Sequence, residues 1–274
     1  MRKFHIITNT VKDPERSFER ELSEYLEARG AVCTKDPAAC PKDAGAVLVL
    51  GGDGTMLRAA RDIAGEGIPM LGINLGTVGY LADTSKSEYR TAVDRLIADD
   101  YAVEERMLIR GELTKAGQSG PISADYALND VAITRTGSLQ ILPFDVYVDG
   151  ELLARYHADG VIISTPTGST GYNLSAGGPI VEPTARCILL TPICPHTLSS
   201  RSIVLSPSAE ITIVLGAPPE GAVLRAEADF DGRGVTNAMQ PGDSIRVVRA
   251  DRTARIIRLS GGSFLDTLRR KIAT

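Results

Sequence analysis

Apolar positions along the first third of the chain recur in two alternating periods. Lys3 to Thr8 is a short β-like run. Asp13-Pro14 then offers a helix cap and a proline for the first helical position, and Phe18, Leu22, Tyr25 and Leu26 follow at helical spacing before Gly30 supplies a stop. Ala46 to Leu50 is continuously apolar, as expected of a strand buried on both faces. A glycine loop and a helix from about Thr55 come next, then a second buried strand from Ile68 to Ile73. Ser85 starts a helix carrying Tyr89, Ala92, Val93 and Leu96. This β-α-β-α order predicts a parallel sheet with helices on its faces.

From about Val103 the pattern changes to short β-rich runs separated by Gly, Pro, Asn and Asp. They fall at 107–114, 126–134, 144–154, 161–165, 187–191, 202–205, 210–215, 222–228, 244–249 and 254–260. Such spacing predicts an antiparallel β domain. Helical spacing returns in Gly262 to Ile272, with Phe264, Leu265, Leu268 and Ile272 on one face that packs back on the first domain. The expected division is therefore an α/β domain at 1–104 with the terminal helix 262–274, and a β-rich domain at 105–261. A ligand cleft at the junction of the two is the default expectation.

Composition narrows the functional classes. At 274 residues, 43% hydrophobic and 23% charged, the chain can bury a full core without disulfide or metal staples. Net charge is −4, aromatics are 5% and Trp is absent, which argues against nucleic acid as a partner. The longest uncharged run, Gly160 to Val181, is long enough for a membrane span, but its five glycines, Pro166 and Asn173 make it unfit for lipid. No secretory signal stands out at the start, so a cytoplasmic protein is expected. Cys33, Cys40, Cys187 and Cys194 lack zinc-knuckle spacing and are expected to be free thiols.

Three stretches carry chemistry. Gly51-Gly52-Asp53-Gly54-Thr55 follows a buried strand and opens a helix, so its N–H groups face an anion such as a phosphate. Asp53 would repel that phosphate unless a metal intervenes or the carboxylate takes a proton from an attacking hydroxyl; the plainer alternative is a helix cap. No P-loop motif is present, Leu57 replaces the third Rossmann glycine, and Thr167 breaks a nucleophile elbow. The second stretch, Asp159 to Pro179, is dense in hydroxyls and glycines without further charge, suited to a ligand lying against backbone; the alternative is a surface loop. The third is Asn129-Asp130 inside a β run, a site at a strand end or a turn. Asn74 to Tyr80, at the end of the 68–73 strand, and His196 are weaker candidates. Arg249, Arg252, Arg255 and Arg258, spaced by three, read as a solvated surface.

Together these motifs resemble the NAD kinase family. The likeness rests on GGDGTMLRAAR at 51–61, NLGTVGYL at 74–81, NDVAI at 129–133, DGVIISTPTGSTGYNLSAGGPIV at 159–181 and PHTLSSRSIV at 195–204. GGDG is shared with lipid and sugar-phosphate kinases, whereas the long STPTGST-Y stretch is more specific. The resemblance implies an N-terminal α/β domain and a C-terminal β-sandwich-like domain. It also implies transfer of the γ-phosphoryl of ATP to the 2′-hydroxyl of the adenosine ribose of NAD, with a divalent cation (Mg or Mn), in homodimers or homotetramers. Asp53 matches the family's proton acceptor. Gly54, Arg58, Asn129, Asp130, Asp159 and the segment Thr170, Gly171, Tyr172, Asn173, Leu174 and Ser175 match dinucleotide-binding positions, and His157 stands where relatives often carry Arg or Lys. Gly171 in place of a frequent Ala and Arg233 in place of a common Gln after Asp231-Gly232 are further departures. Two other readings stay open: a lipid or sugar kinase sharing GGDG, and a non-catalytic dinucleotide sensor.

Overall fold

A computed structural model describes residues 2–35, 40–76, 79–82, 84–137, 141–196, 200–217, 224–233, 237–259 and 264–272. The chain divides into two compact units, residues 1–106 with 252–274, and residues 107–251.

The first unit opens with β1 (Lys3–Thr8), α1 (Ser17–Glu27), β2 (Val32–Thr34), β3 (Ala46–Gly51), α2 (Asp53–Ile63), β4 (Met70–Asn74), β5 (Thr84–Ser85) and α3 (Tyr89–Ile97). Its strands pair in parallel in the order β2-β1-β3-β4-β5. Alternate residues of β1, β3 and β4 (Phe4, Ile6, Leu48, Leu50, Leu71, Ile73) pack with Phe18, Leu22, Leu26, Val93 and Leu96 of α1 and α3. The opposite face meets α2, whose Met56 sulfur lies 2.8 Å from where a side chain on Gly72 would begin. Because the chain adds β2 on one side of β1 and β3 on the other, the connections leaving β1 and β3 run to opposite sides at the carboxyl end of the sheet. That reversal is where such sheets form a crevice.

Helix boundaries differ from expectation in instructive ways. α1 begins at Ser17, not beside Pro14, because Asp13 caps from a distance: its carboxylate accepts the N–H groups of Ser17 (3.0 Å), Phe18 (3.4 Å) and Glu19 (3.0 Å) while Arg16 turns through φ 51°. α2 starts two residues earlier than read, with Gly52 at the cap. Ser85 heads a 3-10 turn, Lys86–Glu88, through a capping box with Glu88, and α3 follows.

Antiparallel strands build the second unit. They are β6 (Ala102–Thr114, entered from the first unit), β7 (Ser123–Ala127), β8 (Asp130–Arg135), β9 (Leu142–Val148), β10 (Glu151–Ala158) and β11 (Gly160–Ser164). After the four-residue α4 (Tyr172–Ser175) come β12 (Ile188–Ile193), β13 (Ile203–Leu205), β14 (Ile211–Leu215), β15 (Ala226–Phe230), β16 (Asn237–Met239) and β17 (Ser244–Arg258). One sheet runs β13-β12-β11-β8-β15-β16. A second layer carries β10-β9-β14-β17 and the β6–β7 pair. Inward side chains of both layers, among them Ile109, Ile133, Phe144, Ile163, Ile188, Ile213 and Ile245, form one core. The sandwich-like expectation is met.

Four expected runs are redrawn. The 144–154 run is a hairpin, β9–β10, turned by Asp149 (φ 51°) and Gly150 (φ 84°), the two positive φ values of a tight strand-to-strand turn. The 126–134 run breaks at Leu128-Asn129. The 244–249 and 254–260 runs are one strand, β17, whose Ile256 pairs with Met70 in the first unit's sheet. Residues 222–223 of another expected strand lie outside the described residues, as do residue 260, residues 262–263 of the expected terminal helix, Thr77-Val78 and Thr197-Leu198. α5 (Phe264–Ile272) groups with the first unit, its Lys271 ammonium 5.9 Å from the Tyr80 ring centre, although Leu265 faces outward at 63% exposure. The arginine run is a solvated surface only in part: Arg249 is exposed, whereas Arg255 donates to the Gly67 carbonyl and Arg258 pairs with Glu104 at 3.0 Å.

Candidate functional site

In the first unit, buried β3 ends in Gly51 and delivers Gly52 and Asp53 straight into α2. The resulting cleft, about 280 Å³, is lined by Asn9, Lys12, Gly52, Asp53, Gly54, Thr55 and Arg58. Asp53 is the first residue of α2, yet its carboxylate makes no helix cap. Instead it accepts the backbone N–H groups of Tyr80 (2.8 Å), Leu81 (3.1 Å) and Ala82 (3.3 Å). A side chain on Gly79 would begin 2.1 Å from Asp53 Oδ1, so only glycine lets the loop close on the carboxylate. Arg258 reaches the carbonyls of Tyr80 and Leu81 at 3.5 Å and so steadies the same loop from behind. The cap reading of Asp53 therefore fails, and its carboxylate is fixed by a second loop beside an open cleft. Arg58 is exposed and also borders a larger cavity of about 600 Å³ with His5, Lys35 and Lys42.

In the second unit, Asn129 and Asp130 lie where β8 begins. Asp231, in the turn after β15, holds them by accepting the N–H groups of Leu128 (3.0 Å), Asn129 (2.7 Å) and Asp130 (3.2 Å). The Asn129 carbonyl in turn accepts Thr165 N–H (2.8 Å) and the Ser164 hydroxyl (3.1 Å). Above this point a cavity of about 360 Å³ is lined by Asn129, Asp130, Ala132, Thr134, Tyr172, Asp229, Asp231 and Gly232. The Asp130 carboxyl is buried and accepts no hydrogen bond from any described residue. Burial, with the nearby negative charges of Asp231 and Asp229, pushes its pKa up to about 7. Burial also raises the Tyr172 phenol, helped by Asp130, Cys194 and Asp159.

The hydroxyl-rich stretch is spent differently from expectation. Ser164, Thr165 and Ser169 turn inward, the last exchanging two hydrogen bonds with Val181. Asn173 is wholly buried: its amide donates to the Ser169 and Pro179 carbonyls (3.1 Å each) and its oxygen accepts the Thr191 hydroxyl at 2.7 Å. These groups lock the strand-to-α4 connection and leave Thr170, Gly171, Tyr172, Leu174 and Ser175 toward the surface. His157 is exposed on β10, and its carbonyl accepts His196 N–H. Asp159 pairs with Arg135 at 2.8 Å. Neither lines the cavity. Sequence reasoning missed Asn9, Lys12, Thr134 and Asp229 as lining residues, and the holding role of Asp231.

Among the described residues no cluster of three or more His, Cys, Asp or Glu is placed to hold a metal ion. The described cysteines are free. No described helix is long and apolar enough to cross a membrane.

Comparison with known proteins matches residues 5–101 to the ATP-NAD kinase N-terminal domain and residues 128–259 to the ATP-NAD kinase C-terminal domain. The chain is similar to the NAD kinase of Lachnospira eligens, at 40% identity over 99% of this chain and 100% of that one. It is similar to the NAD kinase of Symbiobacterium thermophilum at 39% identity over 100% and 99%. Two solved structures share the fold: yeast NADH kinase complexed with NADH (TM-score 0.89, 24% identity, covering 100% of this chain and 88% of that one) and an NAD kinase from Archaeoglobus fulgidus in complex with ATP (TM-score 0.78, 23% identity, covering 99% and 98%).

Proposed function

The chain belongs to the ATP-NAD kinase family, and from that premise we infer that it phosphorylates NAD with ATP, Asp53 acting as the proton acceptor. It is an ATP:NAD 2′-phosphotransferase. The 2′-oxygen of the adenosine ribose forms a bond to the γ-phosphorus while the bond from that phosphorus to the β–γ bridging oxygen breaks. ADP leaves with the electron pair, and the hydroxyl proton passes to the Asp53 carboxylate. The observation that carries this role is that Asp53 lines an open cleft at a helix N-terminus without serving as its cap. A ribose hydroxyl is a poor nucleophile at neutral pH, so a fixed carboxylate supplies what the phosphate-binding N–H groups cannot. Alignment and charge neutralisation on the phosphates account for most of the remaining acceleration.

Asn129, Asp130, Thr170, Gly171, Tyr172, Leu174 and Ser175 are assigned to NAD, with Gly54 and Arg58 on the phosphate side. The inward hydrogen bonds of Asn173 favour a structural part for it, and His157, exposed, and Asp159, paired with Arg135, are not assigned to the nucleotide. The described residues do not fit a protein-held metal site. A divalent cation, Mg or Mn, enters this reading as the ion that the phosphates of ATP bring with them. The protein is further read as a cytoplasmic homo-oligomer, dimer or tetramer. Exposed Leu152, Leu153 and Val204 on β10 and β13 support self-association.

The test is direct: purified protein with NAD, ATP and Mg²⁺, scored for NADP by a dehydrogenase specific for it. NADP that accumulates with enzyme and requires ATP is the expected result. Its absence with every divalent metal and phosphoryl donor tried would overturn the assignment.

A further inference from the structure

We propose that Lys12 is the cation that grips the polyphosphate of the donor. This rests on the reading of the Asp53 cleft as the phosphoryl-transfer site and names a residue of that cleft with no role so far. The strand order makes β1 and β3 neighbours, so the segment leaving β1, which carries Lys12, starts beside the loop leaving β3. Asn9 fixes that segment in place. Its N–H donates to the Leu50 carbonyl (2.8 Å), its carbonyl accepts Lys12 and Asp13 N–H, and its side-chain oxygen accepts Val11 (3.0 Å) and Lys12 N–H (3.2 Å). The Asn9 amide donates to the Thr55 hydroxyl at 3.0 Å, tying the segment to the first turn of α2.

The Lys12 ammonium consequently stands over the glycine loop. It is 3.0 Å from where a side chain on Gly52 would begin and 3.4 Å from the same point at Gly76. No described carboxylate pairs with it. Its neighbour Asp13 is committed to the N–H groups of α1. A lysine left unpaired against the N-terminus of an 11-residue helix adds a full positive charge to the helix's partial one.

That charge solves a problem set by Asp53. A carboxylate in a phosphate cleft repels the donor, and a cation on the same cleft that does not pair with Asp53 offsets the repulsion without occupying the carboxylate. Lys12 acts on the bridging and terminal oxygens of the β- and γ-phosphates and stabilises the charge that gathers on the departing ADP. The ligand chemistry is a linear polyphosphate, carried by a nucleotide or free.

Isothermal titration with inorganic tripolyphosphate, and steady-state kinetics in ATP and in NAD, test this on the whole chain. Lys12→Met is expected to weaken tripolyphosphate binding and raise KM for ATP about 10- to 100-fold, as for loss of one charge-assisted hydrogen bond. KM for NAD and the melting temperature stay unchanged, and Lys12→Arg recovers most of the loss. A Lys12→Met protein that binds tripolyphosphate as tightly as wild type would overturn the proposal, whatever its turnover. If wild type binds tripolyphosphate through Lys12 but makes no NADP, the polyphosphate site stands and the activity reading falls.

Discussion

Replacing Asp130 by Asn should change how stability depends on pH more than any other single substitution at the second-unit cavity. The carboxyl is buried, faces Asp231 and Asp229, and titrates at about 7 against an ordinary value of 3.8. That difference corresponds to roughly 4 kcal/mol between the two protonation states. The folded pKa lies above the unfolded one, so the folded protein binds this proton more tightly. Its contribution is fully present below about pH 4, declines as pH rises, and is gone above about pH 7. The asparagine variant is isosteric and uncharged, so it should track wild type at low pH and exceed it in stability at about pH 8. Urea unfolding of both proteins from about pH 4.5 to 8.5 isolates the effect, because every other titrating group cancels in the difference. That difference should grow by about 1.4 kcal/mol per pH unit through the acid range and level off near pH 7. A difference that does not vary with pH would refute the account of Asp130 as a buried, unpartnered acid. Saturating NAD should flatten the wild-type slope, since a ligand N–H donated to the carboxylate favours its ionised form.

Asp53→Asn should lose on the order of 10²- to 10⁴-fold in kcat, because the amide takes no proton; its NH2 also opposes one of the loop N–H groups, so unchanged NAD affinity is the check that the loop still holds, and near-normal turnover would remove the carboxylate from the base role. Asn129→Ala and Tyr172→Ala should each weaken NAD binding by about 1–3 kcal/mol, measured by calorimetry, with the fold intact; unchanged affinity in both would show that the nucleotide lies elsewhere. Asn173→Ala should instead cost roughly 3 kcal/mol of stability in chemical denaturation, since it takes a donor from two carbonyls and leaves the Thr191 hydroxyl with Ser202 alone. A stable Asn173→Ala protein that fails only in NAD binding would return that residue to the ligand.

How much of this was legible in the chain depends on the range over which each feature is decided. The β-α alternation of the first unit, the buried strand before the glycine loop and the antiparallel character of the second unit are local, so periodicity carried them. The β9–β10 hairpin was equally local, but Val146, Val148, Leu152 and Leu153 continue the apolar pattern across Asp149-Gly150 and hid a strong turn signal. Lys12 and Asp231 are different in kind. Lys12 meets the glycine loop only because β3 pairs with β1 on the side away from β2, and Asp231 holds backbone groups about a hundred residues earlier in the chain. Nothing in the neighbourhood of either residue announces that.

The hydroxyl-rich stretch from 159 to 181 spends much of its polar character on its own backbone. From Gly160 to Ser169 this stretch is buried, and a buried backbone must satisfy its own donors and acceptors before it can serve a ligand. Ser164, Thr165, Ser169 and Asn173 are consumed in that way. On the proposed reading, the nucleotide takes the groups those bonds leave uncommitted: the Asn129 side chain, the Asp130 carboxyl with no donor, and the surface of Tyr172 and Ser175. The resemblance of the whole motif to a family's nucleotide loop therefore divides into two jobs. The inward residues hold the loop's shape through their own hydrogen bonds, and the outward ones are those proposed to read the nucleotide.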